Sequence, residues 1–153
     1  ARSCVTVLKT LAGKSVETIE NLPNDTMLQV IQRSFLDAGA VQCGFCTPGM
    51  IMAAKALLCK TVNPTEEDIY DGLKHNYCRC TGYVKIIEGV KLAAARLRGE
   101  DVPLTAVQVN DPTEIVTGKG QIVPEIEGRF VGKSVWDVDG LAKTAGTLKY
   151  CDD

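Results

Sequence analysis

Four cysteines fall in two tight pairs: Cys43 and Cys46 within Gln42-Cys43-Gly44-Phe45-Cys46-Thr47-Pro48-Gly49, and Cys78 and Cys80 within Cys78-Arg79-Cys80-Thr81-Gly82-Tyr83. Thiolates are soft donors, and four of them gathered together make a site for a soft metal centre. Each pair ends where a helix is expected to begin. Thr47-Pro48 places an N-cap hydroxyl before a proline at the first helical position, where its missing N–H costs nothing, and Thr81-Gly82 opens the second helix. Backbone N–H groups at such starts favour bound negative charge.

The spacing discriminates between metals. A Cys4 zinc site usually uses two Cys-x-x-Cys knuckles, each closing on one tetrahedral ion. Here the second pair is Cys-x-Cys, which closes poorly on a single ion, whereas a 2Fe-2S core spreads four thiolates over two irons. A Rieske centre is excluded because it needs two histidines and the chain has only His75. On spacing a 2Fe-2S cluster fits better than zinc, and both zinc and a thiol-disulfide exchanger stay open at this point.

The elements that must position these residues follow from periodicity and caps. Val5-Thr6-Val7-Leu8 and Val16-Glu17-Thr18-Ile19, joined by Ala12-Gly13-Lys14, predict a β-hairpin. Asn24 or Asp25 caps a first helix with Leu28, Ile31, Phe35 and Leu36 at helical spacing, ended by Gly39. A second helix runs from Thr47 to about Cys59, with Met50, Ala54, Leu57 and Leu58 on one face. Thr65 caps a third, and Glu66, Glu67 and Asp68 suit its first turn. The fourth follows Thr81-Gly82, with Ile87, Val90, Ala94 and Leu97 on one stripe and Gly99 as its stop. The order helix, cysteine pair, helix occurs twice. The expected fold is therefore mainly α: a four-helix bundle of two hairpins related by an approximate two-fold, both cysteine loops at one end, with the β-hairpin before it and an extended linker after it.

Composition narrows the setting. The chain has 153 residues, 45% of them apolar, enough for a globular core. No uncharged apolar run approaches the roughly 18 needed to span a bilayer, and Ala1-Arg2-Ser3-Cys4 lacks the sections of a signal peptide, so a cytoplasmic location is expected. Seven cysteines in such a setting favour metal or redox chemistry over disulfides. Residues 1–99 carry 12 Lys and Arg against 9 Asp and Glu, and residues 100–153 carry 5 against 10, without the basic clustering of a nucleic-acid surface. Residues 101–128, with Pro103, Pro112 and Pro124, read as linker, and strand character returns at 131–135 and 146–150. The first residue is not Met and neither end carries a cap signal, which suggests a piece of a longer polypeptide.

The two cysteine runs, with Asn63-Pro64-Thr65-Glu66-Glu67 between them, closely resemble the helical 2Fe-2S-binding domain of the molybdenum hydroxylases, the xanthine dehydrogenase and aldehyde oxidoreductase family. That resemblance covers roughly residues 1–98 and implies that Cys43, Cys46, Cys78 and Cys80 are the cluster ligands. It also implies that Gln42 lies against the molybdopterin cofactor of an adjoining domain or subunit. In this family a plant-type ferredoxin domain precedes, and its last cysteine stands where Cys4 stands, so residues 1–22 correspond to that domain's terminal hairpin and residues 23–99 to the helical domain. Residues 100–128 are then a linker, and 129–153 resemble the start of the molybdopterin-binding region, departing from the family pattern at Trp136. The implied function is electron transfer from the molybdenum cofactor through a 2Fe-2S cluster to a second cluster or a flavin, which some members carry on a separate subunit. No catalytic residue is expected in this chain.

The rival reading is a structural zinc-binding helical interaction module without redox activity. Other residues carry blander expectations. His75 reads as a C-terminal cap, Cys59 as a small buried or half-buried residue, Cys151 as a strand residue, and Met50 and Met52 as core filler. Arg79 is an exposed spacer or tunes the site by its charge, and Phe45 shields the site or packs on the first helix.

Overall fold

The computed structural model describes residues 3–102, 108–109, 122–123, 136–151 and 153. It is mainly helical. Helix α1 spans Thr26–Asp37, and its cap is Asp25, whose Oδ1 accepts the Leu28 N–H at 2.9 Å. Leu28, Ile31, Phe35 and Leu36 are all buried, as their spacing requires. Helix α2 is Thr47–Leu58 with Pro48 in its first turn, and α3 is Glu66–Leu73. At the start of α3 the Thr65 hydroxyl accepts from Asp68 N–H at 3.2 Å and the Asp68 carboxylate accepts from Thr65 N–H at 2.8 Å, so two orphan donors are satisfied reciprocally. Thr65→Ala is therefore expected to cost about 1 kcal/mol. Urea unfolding followed by circular dichroism checks this, and an unchanged midpoint would show that the cap contributes nothing.

Helix α4, Val84–Leu97, begins three residues later than Thr81-Gly82 suggests. Gly82 and Tyr83 hold φ of 63° and 68°, outside the helical region, so the chain must turn before it can coil. Among the helix pairs, α1 packs most extensively on α4, and α2 on α3. The α1–α4 approach is close because Gly89 faces Phe35: a Cβ at Gly89 would lie 3.1 Å from the Phe35 ring. Phe35, Ile31, Met50, Ile51, Ile69 and Val90 form the centre of the core.

The expected hairpin is absent. Ser3–Val5, Leu8–Leu11 and Ile19–Asn24 are 3-10 turns, and the N–H groups of Thr10 and Lys14 bond back to Val7 and Leu11, both at 2.9 Å, instead of across a ladder. Val5, Val7, Leu8 and Val16 are exposed. β-branched residues with no face to pack against do not hold a two-stranded ribbon together. Within the predicted linker, Gln108–Val109 pairs antiparallel with Ile122–Val123 as β1 and β2; the rest of residues 103–135, including the strand expected at 131–135, lies outside the described residues.

The sequence also predicts a strand at 146–150, and none forms. Instead Gly140–Ala145 is a short helix, α5, and residues 147–150 follow it without regular structure. Helix α5 packs on α1, on α2 and on the Ile19–Asn24 turn, and Trp136, Leu141 and Ala145 join the core. Its docking is polar as well as apolar. Gln32 donates to Thr144 Oγ1 at 2.9 Å, and both residues are buried. Asp37, whose side chain is only 2% exposed, accepts from Arg96 at 2.6 Å, from Arg33 at 3.3 Å and from the Trp136 indole at 2.8 Å. The Arg33 guanidinium also stacks 4.1 Å from the Trp136 ring centroid. Among the described residues no helix is long and apolar enough to cross a membrane.

Candidate metal centre

The loop between α1 and α2 carries Cys43 and Cys46, and the loop between α3 and α4 carries Cys78 and Cys80. The fold brings these loops together, so that the four thiols form two pairs with one sulfur from each loop. Cys80 Sγ lies 3.5 Å from Cys43 Sγ, and the Cys46 and Cys78 thiols are near enough to perturb each other's ionisation. Among the described residues no three Cys, His, Asp or Glu side chains are grouped as a single metal ion would require. Cys43 and Cys80 are exposed, and Cys46 and Cys78 are half-buried.

Backbone geometry holds the second loop open to the sulfurs. Tyr83 is the one residue other than glycine with positive φ among those described, and its strained turn returns the phenol oxygen to accept the Cys78 N–H at 3.0 Å. Thr81 N–H points at Cys78 Sγ at 3.4 Å, and Thr81 Oγ1 lies 3.1 Å from the same sulfur. Burial raises the Cys78 pKa, but these hydrogen bonds from Thr81 outweigh it and hold the thiol below its ordinary value. Burial pushes Cys46 up to about 12, helped by its bond to Cys78 and by repulsion from Cys78 and Cys43. Cys80 is raised chiefly by its hydrogen bond to Cys43. Thiols this close resist ionising together unless cations sit among them, which suits a donor set for a multiply charged metal core.

The first loop is held from outside its own helices. Gly44 is buried at φ 87°, and a Cβ there would come within 2.4 to 2.9 Å of the Lys143 side-chain carbons. The Lys143 ammonium is paired with Asp137. Tyr150 donates its hydroxyl to the Cys43 carbonyl at 2.9 Å, and its ring meets Phe45 edge-on at 5.8 Å. Phe45 is 79% exposed, so it is not packed into the core against α1. Gln42 is exposed on the rim of a cleft of about 440 Å³ lined also by Leu36, Val41, Trp136 and Asp137.

The remaining side chains are more ordinary. His75 and Arg79 are exposed, and Met50 is wholly buried while Met52 is half-buried. Cys59 is exposed as the residue that caps the C-terminus of α2, its sulfur 3.5 Å from Met27 Sδ. Cys151 stands exposed in a turn, since no strand forms there, and Cys4 is exposed in the first 3-10 turn. Lys143 and Tyr150 are the neighbours of the first cysteine loop that sequence spacing misses, since they lie about a hundred positions from the loop they touch.

Residues 18–91 match the 2Fe-2S binding domain family. The chain is 49% identical over 96 residues to the nicotinate dehydrogenase small FeS subunit of Eubacterium barkeri, an alignment covering 60% of this chain and 61% of that subunit. It is 36% identical to the aldehyde oxidoreductase of Megalodesulfovibrio gigas, over 99% of this chain but only 16% of that protein. The crystal structure of the aldehyde oxidoreductase from Desulfovibrio desulfuricans superposes with a TM-score of 0.75 at 35% identity, over 98% of this chain and 15% of that one. The chain thus spans about three fifths of one relative and a small part of the others. Residues 18–91 thus carry the match to the 2Fe-2S binding domain family, and the relatives are FeS subunits and oxidoreductases of the molybdenum hydroxylase kind that the two cysteine runs resemble.

Proposed function

We propose that Cys43, Cys46, Cys78 and Cys80 hold a 2Fe-2S cluster and that the chain is an electron-transfer module of a molybdenum hydroxylase. The observation that carries this reading is the pairing of sulfurs across the two loops, Cys43 with Cys80 and Cys46 with Cys78. Two pairs, each drawn from both loops, suit one iron per pair better than they suit one zinc ion. Bound there, the cluster supplies a one-electron carrier, which neither the thiols nor any other side chain here provides. The chain's own residues hold and tune it: Thr81 N–H directed at Cys78 Sγ favours added negative charge, and the half-buried Cys46 and Cys78 limit water on one side.

In this reading α1 to α4 form the two-fold-related bundle, with α1 on α4 matched by α3 on α2. Residues 1–22 belong to a preceding ferredoxin-like domain, whose second cluster takes Cys4, and the exposed Val5, Val7 and Leu8 pack against it. Residues 129–153 lead into the molybdopterin-binding region, and Gln42 faces that cofactor from the rim of its cleft. Electrons arrive from molybdenum and leave to the second cluster or a flavin, and the module works in the cytoplasm. Substrate chemistry belongs to the partner region. The relatives named for nicotinate and aldehyde oxidation share the module, not the pocket.

Anaerobic purification of the chain, with metal analysis, visible absorption and electron paramagnetic resonance after dithionite, tests the proposal. About two irons per chain, a red-brown colour and a signal on reduction are expected. A colourless protein with about one zinc per chain would replace it with the structural module.

A further inference from the structure

We infer that Lys143 and Tyr150 are positioning residues for the first cysteine loop, acting as a strap that enters from beyond the linker and fixes where Cys43 and Cys46 present their sulfurs. This rests on the proposed cluster for its purpose, but the strap is visible in the geometry of the chain itself. Both residues lie outside the segment matching the 2Fe-2S binding domain family, residues 18–91.

Three contacts make the strap. The aliphatic part of Lys143 lies directly on Gly44, so closely that only a residue without a Cβ fits beneath it. Its ammonium is tied to Asp137 and its side chain is 11% exposed, so the methylene stem is held rather than free to swing. Tyr150 Oη donates to the Cys43 carbonyl at 2.9 Å, fixing the peptide that joins a cluster-binding cysteine to Gly44. The second cysteine loop is held differently, by its own Thr81 and Tyr83. The first loop is tied to the start of α2 by Thr47 N–H to the Gly44 carbonyl and Met50 N–H to the Cys46 carbonyl, both at 3.0 Å, and Tyr150 holds the Cys43 carbonyl.

The anchor of the strap is built for constancy. Helix α5 is locked by the Gln32–Thr144 bond, and Gly140 sits where a Cβ would be 2.7 Å from Leu36. Trp136, Leu141 and Ala145 lie in the core. Lys143 projects from this fixed helix, and Tyr150 follows it by one short segment. A surface loop pinned at one point by a packed helix and at another by the segment that follows it keeps its donors in place, as tight ligation of a rigid cluster demands.

The test uses the full chain and the variants Tyr150→Phe, Lys143→Ala, Lys143→Met and Gly44→Ala, with Ile69→Ala, at a wholly buried position of α3, as a control for general loosening. Hydrogen exchange on metal-free protein reads peptides covering residues 42–47 and 78–83. Tyr150→Phe keeps the ring and loses the hydroxyl, so exchange in 42–47 is expected to quicken about five-fold, in line with the loss of one hydrogen bond, while 78–83 stays unchanged. Lys143→Ala has the same selective effect, and Lys143→Met, which keeps the covering stem, restores most of the protection. Gly44→Ala displaces Lys143, and combining it with Lys143→Ala gives less than the sum of the two effects. Ile69→Ala loosens both peptides alike.

On cluster-loaded protein, Tyr150→Phe and Lys143→Ala shift the g-values of the reduced centre and speed iron loss to a chelator several-fold, and Ile69→Ala leaves the g-values in place. Equal exchange in 42–47 for wild type and both strap variants would overturn the inference. If wild type binds no iron, the cluster reading fails, and the exchange result still decides whether the strap exists.

Discussion

Cys78→Ala is expected to abolish iron binding, lowering the content from about two irons per chain to near background and removing the visible colour. Cys78 is the best-supported donor. Its sulfur receives the Thr81 N–H, its own N–H is held by Tyr83, and it pairs with Cys46. With three thiolates left, one iron loses half of its protein ligands. Serine in place of Cys59 provides the comparison, since that thiol is exposed at the end of α2 and away from the site. It should retain full iron content. Iron retained by Cys78→Ala at the wild-type level would remove Cys78 from the ligand set, and with it the cross-loop pairing on which the proposed function rests. The check is metal analysis of anaerobically purified protein beside its absorption spectrum.

Asp37→Ala is expected to destabilise the chain by about 3 to 5 kcal/mol, the cost of leaving buried charge without its partner. The carboxylate serves Arg96, Arg33 and the Trp136 indole together. Truncating it strands Arg96, whose side chain is 11% exposed and whose Nε already has no hydrogen-bond partner. For a chain of this length such a loss lowers the melting temperature by roughly 10 °C. Asp37→Asn keeps an acceptor for the indole and loses the charge, so it should fall between. Differential scanning calorimetry measures both, and a fall of less than about 2 °C for Asp37→Ala would show that the network is decorative. Because Trp136 begins the segment that carries α5, the same variant should also loosen the strap over Gly44.

The helical part of this chain was legible where local signals and burial agree. Asp25 and Thr65 cap as their types predict, and Leu28, Ile31 and Phe35 face the core at the spacing that announced α1. The two cysteine loops that the spacing singled out are the ones the fold brings together, with Cys80 Sγ 3.5 Å from Cys43 Sγ. The rest failed for identifiable reasons. Val5, Val7 and Val16 have strand propensity, but propensity without a packing partner does not decide structure, and the segment turns instead. Helix α5 is six residues long with no side-chain cap, too short for periodicity to register. Packing of Phe45 on the first helix was one of its two expected roles because large apolar residues are usually covered, whereas here its ring stands out and meets Tyr150 edge-on. Lys143 carried no local signal at all: its role follows from what it covers, not from its neighbours in sequence.

The bond from Gln32 to Thr144 joins positions 112 residues apart. Closing so long a loop costs chain entropy that grows only slowly with length but must be met before the contact rewards it. Helices α1 to α4 are complete by Leu97 and hold most of the core among themselves, so they can assemble while the following residues are still being synthesised. Helix α5 can then dock onto a surface already formed. The order gives biosynthesis an interval in which both cysteine loops are assembled but only the second is fastened, and that interval ends when α5 brings Lys143 over Gly44.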